Sequence, residues 1–270
     1  MSSKEPTGYE NEPDEIFTPL PAHLYPSLYH LETSDFIDDG FFYLTKLQEH
    51  GCRNVLELGC GTGRIAEYLK QLGLYPVGID ISQEMLNFSK TTRHAVTAQM
   101  DMCQLGFCSC FDAVIIPYNT LNLLGSLEAI KQCLDESKTV LTGPRLLIAH
   151  LHTPNSAQLQ NQHKRRFQFN LFDRPEGGKI VKESITSYVP ENDSLTLEER
   201  YKIRPLSHTP GSSSATNYSQ TFHLKTYKPD KWIDIITKSG FSIVSQDFSF
   251  NDNAPGKVNG SNLIITAYAL

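Results

Sequence analysis

The stretch Val55-Leu56-Glu57-Leu58-Gly59-Cys60-Gly61-Thr62-Gly63-Arg64 decides how this chain is read. Its first part is a short Val/Leu run with one acid inside it, the pattern of a strand, and Arg64 to Leu72 has the spacing of a helix that Gly73 ends. A strand that passes through glycines into a helix lets main chain approach a ligand closely and aims the helix N-terminus at it. The spacing is not that of a dinucleotide fingerprint, because counting from Gly59 puts the bulky Arg64 where the third glycine of G-x-G-x-x-G belongs. The pattern is instead E-x-G-x-G-x-G. Twenty-one residues beyond Gly59, Asp80 closes a second strand, Tyr75 to Asp80. A carboxylate at that tip can accept both hydroxyls of a ribose, so the ligand predicted is of the adenosine type.

Outward from this motif, strand and helix keep alternating. A helix is predicted over Asp35 to His50, another over Ser82 to about Thr92, and a third over Leu127 to Leu134. Strands are predicted at Val96 to Gln99, Phe111 to Pro117 and Arg145 to Leu151. Such alternation implies an α/β fold with a doubly wound, mostly parallel sheet. Beyond Pro154 the rhythm changes to polar/apolar alternation at Arg166 to Phe172, Lys179 to Val189, Ser194 to Arg204 and Ser219 to Tyr227, which predicts an antiparallel β insertion after the fifth strand. The helix Lys228 to Lys238 and the strands Phe241 to Phe248 and Asn262 to Ala269 then resume the first rhythm and bring the main sheet to seven strands. Three regions follow. Residues 1–27 read as a mobile arm, 28–157 with 226–270 as the cofactor-binding core, and 158–225 as a β-rich lid or substrate region. Pro205 to Thr216 reads as a low-complexity loop.

Composition narrows the function classes. The 270 residues are 39% hydrophobic, enough for a real core, and no run approaches the length of a membrane helix. The start is polar and acidic without a signal pattern, so a cytoplasmic protein without membrane contact is expected. Twenty-four Lys and Arg against 30 Asp and Glu leave a charge of −6, which makes nucleic acid a poor partner. The six cysteines show no zinc-knuckle spacing, and no metal site is expected.

These residues resemble the class I S-adenosylmethionine-dependent methyltransferases, of the small-molecule type, with a Rossmann-like sheet. Leu56 to Gly63 is similar to that family's first motif, Gly78-Ile79-Asp80-Ile81-Ser82 with Glu84-Met85-Leu86 to its second, and Gln99-Met100-Asp101-Met102 to its adenine-contact segment. The resemblance implies S-adenosyl-L-methionine as cofactor. It sets Gly59, Cys60, Gly61 and Gly63 against the methionine part, Asp80 and Ile81 at the ribose, and Asp101 and Met102 at the adenine. Glu57 would brace the loop and the cofactor's ammonium. Tyr25 and Tyr29 resemble aromatics that fold over the cofactor, with Pro117 at the neighbouring strand tip.

In an open parallel sheet the ligands gather beyond the carboxyl ends of the strands, so Pro117-Tyr118-Asn119 and His150-Leu151-His152 should border the acceptor. Where related enzymes carry an aspartate four residues before a proline, this chain has His150 before Pro154. His152, or else His150, is the candidate general base if the acceptor must lose a proton, and Tyr118 could donate a hydrogen bond or stack. Tyr118, Asn119, Arg165 and Arg166 are the candidate substrate contacts, the arginines as a clamp for a carboxylate or phosphate. The expected activity is methyl transfer to nitrogen or oxygen of a small molecule. A nucleic-acid methyltransferase, or a regulatory protein that binds the cofactor without catalysis, are the alternatives. Exposed strands of the insertion could also pair across a homodimer.

Overall fold

The computed structural model describes residues 15–161, 163–204, 216–250 and 261–270. It begins with β1 (Thr18–Pro19), α1 (Tyr25–Thr33) and α2 (Asp38–Glu49). Strand and helix then alternate through β2 (Asn54–Leu58), α3 (Arg64–Gln71), β3 (Tyr75–Asp80), α4 (Gln83–Thr92), β4 (Thr97–Gln99), β5 (Phe111–Ile116), α5 (Leu127–Val140) and β6 (Leu141–His152). A short α6 (Ser156–Gln160) leads into β7 (Arg166–Asp173), β8 (Lys179–Val189), β9 (Ser194–Arg204) and β10 (Thr216–Lys225). The order closes with α7 (Pro229–Lys238), β11 (Phe241–Asp247) and β12 (Asn262–Ala269).

The main sheet has seven strands in the order β11-β12-β6-β5-β2-β3-β4. β6, β5, β2, β3 and β4 run parallel; β12 alone is reversed, antiparallel to both β6 and β11, so the edge strand β11 points the same way as the other five. Alternation along the strands splits the core into two layers. Leu56, Leu58, Val114, Ile116, Leu147 and Leu151 face Cys133, Leu134 and Trp232 on the side of α5 and α7. Val55, Ala113, Ile115, Leu146 and Ile148 face Tyr43, Leu47 and Leu69 on the side of α2 and α3. Because β2 is central and the chain winds away from it in both directions, the carboxyl ends of β2 and β5 flank the point where the topology reverses. A crevice opens there for reasons of connectivity alone.

Local signals fix the helices that follow these strands. The Ser82 side chain accepts the Met85 amide, and Ser126 caps α5 in the same way through Ala129. Pro229 occupies the first turn of α7, where a missing amide hydrogen costs nothing.

The second sheet has the order β1-β10-β9-β8-β7 and is antiparallel except where β1 runs beside β10. Its register places Ile180, Lys182, Glu199, Tyr201, Tyr218 and Phe222 on one face and Glu183, Ile185, Glu198, Arg200 and Lys202 on the other. α1 packs on the first of these faces: Leu28, 6% exposed, lies against Ile180 and Tyr201. Burying that leucine contributes roughly 2 kcal/mol.

The arm expected over 1–27 is built differently where it is described. Thr18 and Pro19 pair with Tyr218 and Ser219, Leu20 donates its amide to Ser219, and Tyr25 opens α1. Tertiary docking holds this segment: its own apolar content is low, and the surface that orders it comes from strands far along the chain. Residues 1–14 and the loop expected at 205–216 lie outside the described residues, apart from Thr216 itself, which starts β10.

Candidate functional site

The backbone between β2 and α3 turns through three left-handed glycines, Gly59, Gly61 and Gly63, with φ of 69°, 52° and 75°. Two are demanded by the protein's own packing. A Cβ on Gly59 would lie 2.2 Å from Thr120 Cγ2, and one on Gly63 would lie 2.3 Å from Ser89 Oγ. Gly61 is different, since the nearest atom to its Cβ position is Tyr29 Cε1 at 3.9 Å. That side of the loop is open. The loop is anchored by Asp80, whose Oδ2 accepts the Gly61 amide at 2.8 Å and whose Oδ1 accepts the Ser82 amide at 2.8 Å. Cys60 donates its amide to Ile79 at 2.8 Å and presses its side chain onto Gly78, where a Cβ would clash at 2.7 Å.

Glu57 sits beneath the loop, 2% exposed, and its Oε2 has no hydrogen-bond partner. Burial pushes its carboxyl up to about 8; the Arg64 charge opposes this only partly, because Arg64 is already engaged. Its guanidinium forks onto Asp39 at 2.7 and 2.5 Å and reaches the Phe36 carbonyl at 2.6 Å. A bulky cation at the third-glycine position of a dinucleotide loop is thus explained: it ties the start of α3 to α2. A buried acceptor without a donor is costly. The methionyl ammonium of S-adenosylmethionine is a donor of the right charge for it, and the open flank of Gly61 and the carboxylate at the tip of β3 suit the remainder of that cofactor. The residues fit the group.

The other cofactor candidates are spread along the same rim. Ile81 is 71% exposed just beyond Asp80, a bare apolar side chain beside the carboxylate. Asp101 is exposed, and its Oδ1 accepts the Cys103 amide at 2.8 Å, so it shapes the turn after β4. Met102 is half-buried against the core of the α5 side. Pro117 is buried at the end of β5.

Tyr118 and Asn119 follow with consecutive left-handed φ values of 52° and 62°. Such strain in non-glycine residues persists only where the surroundings impose it. Here the Asn119 amide is held by the His150 carbonyl at 3.2 Å and Thr120 Oγ1 by the Pro117 carbonyl at 2.7 Å. Tyr118 is left 43% exposed at the rim, its ring edge-on to Tyr29 with centroids 6.1 Å apart. Tyr29 in turn lies 6.0 Å from Tyr25, which lies 6.0 Å from Phe222 of β10. A continuous aromatic path therefore joins the glycine loop to the underside of the second sheet.

That underside carries a charged group that the sequence analysis missed. Lys182, 5% exposed, bridges Glu32 of α1 and Glu199 of β9 at 2.5 Å each. Tyr201 Oη donates to Glu32 at 2.9 Å or to Glu199 at 3.1 Å, and Gln220 Nε2 donates to Glu199 at 2.7 Å. The two carboxylates against one ammonium leave an excess of one negative charge. Desolvation and then the charge of Glu32 raise the Tyr118 pKa, so the network acts on the rim electrostatically. No local pattern marks these residues, since Glu32 and Lys182 are 150 positions apart.

The histidines of β6 have distinct roles. His150, 3% exposed, packs edge-on against Phe250 at 4.8 Å, and burial lowers its pKa to about 4. His152 is half-buried and is likewise lowered to about 4, by burial first and then by His150. Thr226 Oγ1 lies 2.8 Å from its Nδ1 and 3.0 Å from its carbonyl and holds the ring in place. Asn122, buried and also missed by the sequence analysis, binds the His152 carbonyl, the His152 amide and the Lys225 carbonyl, fastening the end of β6 to the end of β10.

The structure does not bring Arg165 to this rim. It pairs with Glu198 at 2.9 Å on the face of the sheet opposite Lys182 and Glu199, because the register of β9 alternates sides at Glu198 and Glu199. Arg166, half-buried, falls in register with Thr186, Leu197 and Phe222, on the inner face.

A parallel sheet reversing at its central strand, a ligand-facing glycine loop and an acid at the next strand tip define a Rossmann-like transferase that binds S-adenosylmethionine. Residues 55–143 match the family model described as "Methyltransferase domain". The Bacillus subtilis (strain 168) protein named "Putative methyltransferase YqeM" is 33% identical over 208 residues, 74% of this chain and 78% of that protein. Among solved structures, an S-adenosylmethionine-dependent methyltransferase from Clostridium acetobutylicum ATCC 824 superposes with a TM-score of 0.73 at 15% identity, covering 91% of this chain and 98% of the other. CalS10, an amino pentose methyltransferase from Micromonospora echinaspora bound to S-adenosylmethionine, superposes at 0.69 with 17% identity, covering 97% and 100%. The chain belongs to the class I S-adenosylmethionine-dependent methyltransferases. Among its described residues no helix is long and apolar enough to cross a membrane.

Proposed function

We propose that this enzyme methylates nitrogen or oxygen of a small molecule bound between the β5 and β6 tips and the underside of the five-stranded sheet. The observation that carries this reading is the roofed rim itself. Tyr25, Tyr29, Tyr118 and Phe222 supply apolar walls, and the Glu32–Lys182–Glu199 network supplies polar recognition. A rim lined by aromatics and a buried charge network suits a compact acceptor better than a polymer, and CalS10, an amino pentose methyltransferase, supports the reading by its similar fold.

The cofactor supplies an electrophilic methyl on a sulfonium. In the proposed arrangement Glu57 holds its ammonium, Asp80 its ribose, and the adenine lies between Ile81 and the Asp101–Met102 turn. Tyr29 and Tyr118 close over the reacting region and exclude water. Alignment of this kind can supply roughly 7 to 11 kcal/mol of a displacement barrier. His152 is neutral at pH 7; with a pKa of about 4 it orients an acceptor N–H or O–H rather than storing its proton.

The test is a metabolite extract incubated with methyl-labelled cofactor. Label in a low-molecular-weight product, with stoichiometric demethylated cofactor, is expected. Label confined to RNA, DNA or protein would overturn the proposal.

A further inference from the structure

β7 closes one end of the five-stranded sheet, and among the described residues it pairs only with β8. Its outer edge therefore offers unpaired amide and carbonyl groups. Natural edge strands are usually blunted by a central charge, a proline or a bulge. β7, Arg-Phe-Gln-Phe-Asn-Leu-Phe-Asp, has none of these between its charged ends. Phe167, Phe169 and Leu171 alternate onto one face and are 56%, 61% and 62% exposed. Three large apolar side chains in a row beside an open backbone edge form a contiguous patch of the kind that marks an interaction surface.

The sequence of the strand says what covers it. An antiparallel partner related by a two-fold axis normal to the sheet keeps every side chain on its own face. If the axis passes through Phe169, that ring meets the partner's Phe169, Phe167 lies opposite the partner's Leu171, and Arg165 lies opposite the partner's Asp173. On this face apolar meets apolar, and cation meets anion at both ends; on the other face Gln168 meets the partner's Asn170 and Arg166 the partner's Phe172. Moving the axis by one residue destroys this: centred on Asn170 it sets Phe167 against the partner's Asp173, and centred on Gln168 it sets Arg165 against the partner's Leu171. Arg165 already lies over the Phe167 ring at 5.5 Å and bonds Glu198, and Asp173 bonds Lys179, so at each end the pairing would bring two existing ion pairs together on one face. We propose that β7 is a self-complementary edge through which two copies of this chain pair antiparallel about Phe169, joining the two five-stranded sheets into one.

Sedimentation velocity of the full chain over a micromolar dilution series tests the association. A dimer is expected for the native chain, and Phe169→Asp, which places two carboxylates side by side on the axis, is expected to weaken it on the order of 100-fold. Its undiminished heat of S-adenosylmethionine binding would show that the variant is folded. The register is tested by oxidation in a background with Cys108→Ser and Cys110→Ser. Phe169→Cys should cross-link to itself, because directly opposed residues have Cα atoms about 4.5 to 5.5 Å apart, within disulfide range. Leu171→Cys alone should not. A native chain that stays monomeric, a Phe169→Asp chain that dimerises as tightly as the native one, or equal cross-linking at both positions would each overturn the proposal.

Discussion

Gly59→Ala and Gly61→Ala should fail in different ways, and the difference can be worked from the loop geometry. Both positions have positive φ, 69° and 52°, which costs an L-residue roughly 1 to 2 kcal/mol. At Gly59 the new methyl also meets Thr120 Cγ2 at 2.2 Å, and Thr120 cannot rotate away without giving up its bond to the Pro117 carbonyl. Overpacking of that kind adds about 1 to 3 kcal/mol, for a total of roughly 2 to 5 kcal/mol. At Gly61 the nearest atom is 3.9 Å away, ordinary contact, so only the backbone term applies. For a domain of this size each kcal/mol shifts the melting point by about 2 to 4 °C. Thermal unfolding without cofactor should therefore fall by roughly 4 to 20 °C for Gly59→Ala and by about 2 to 8 °C for Gly61→Ala. Calorimetric titration should show the reverse emphasis, with Gly61→Ala losing at least about tenfold in S-adenosylmethionine affinity because its methyl occupies the space where main chain meets ligand. Adding Thr120→Ser to Gly59→Ala removes the Cγ2 contact and should recover part of the melting point. The reasoning is refuted if Gly61→Ala melts as low as Gly59→Ala, or if it binds cofactor as tightly as the native chain.

Other outcomes follow from buried charge. Lys182→Met leaves Glu32 and Glu199 facing each other without their cation and should cost about 3 to 5 kcal/mol, read as a lower midpoint in urea. Between the ordinary carboxyl value of 4.5 and about 8, folded Glu57 retains a proton that the unfolded chain has released, so its contribution to stability declines as pH rises through that window. Glu57→Gln should flatten a melting-temperature profile measured without cofactor between pH 4.5 and about 8. His150 acts in the opposite sense: between 6.5 and about 4 the unfolded imidazole takes a proton that the buried one refuses, so acidification destabilises the fold. His150→Asn should reduce that loss, and an unchanged acid limb would show that the histidine stays solvated.

Most of both sheets was legible because their strands carry their own signals. Tyr75–Asp80, Lys179–Val189, Ser194–Arg204 and Asn262–Ala269 have the predicted bounds, set by apolar runs or alternation between turn residues. α1 was not legible: Leu28 is its main buried anchor besides Pro26 and Thr33, and the surface that anchor meets comes from β8 and β9. α5 extends to Val140, past the predicted Leu134, because Cys133, Ser137 and Val140 continue a buried stripe among charged residues that looks like a loop. β6 starts at Leu141 although Gly143-Pro144 reads as a turn, and the register shift in its pairing with β5 absorbs that irregularity. In the site, the glycine loop and Asp80 announce themselves by spacing. The Glu32–Lys182–Glu199 network and Asn122 do not, since only tertiary folding brings them together. The face on which Arg165 lands was likewise hidden, because it depends on strand register rather than composition.

The account is tested most directly by isothermal titration of the native chain with S-adenosylmethionine, its demethylated product and NAD. One-site saturable binding of the first two and no heat with NAD is the result it predicts. Absence of heat with S-adenosylmethionine, or equal binding of NAD, would contradict it.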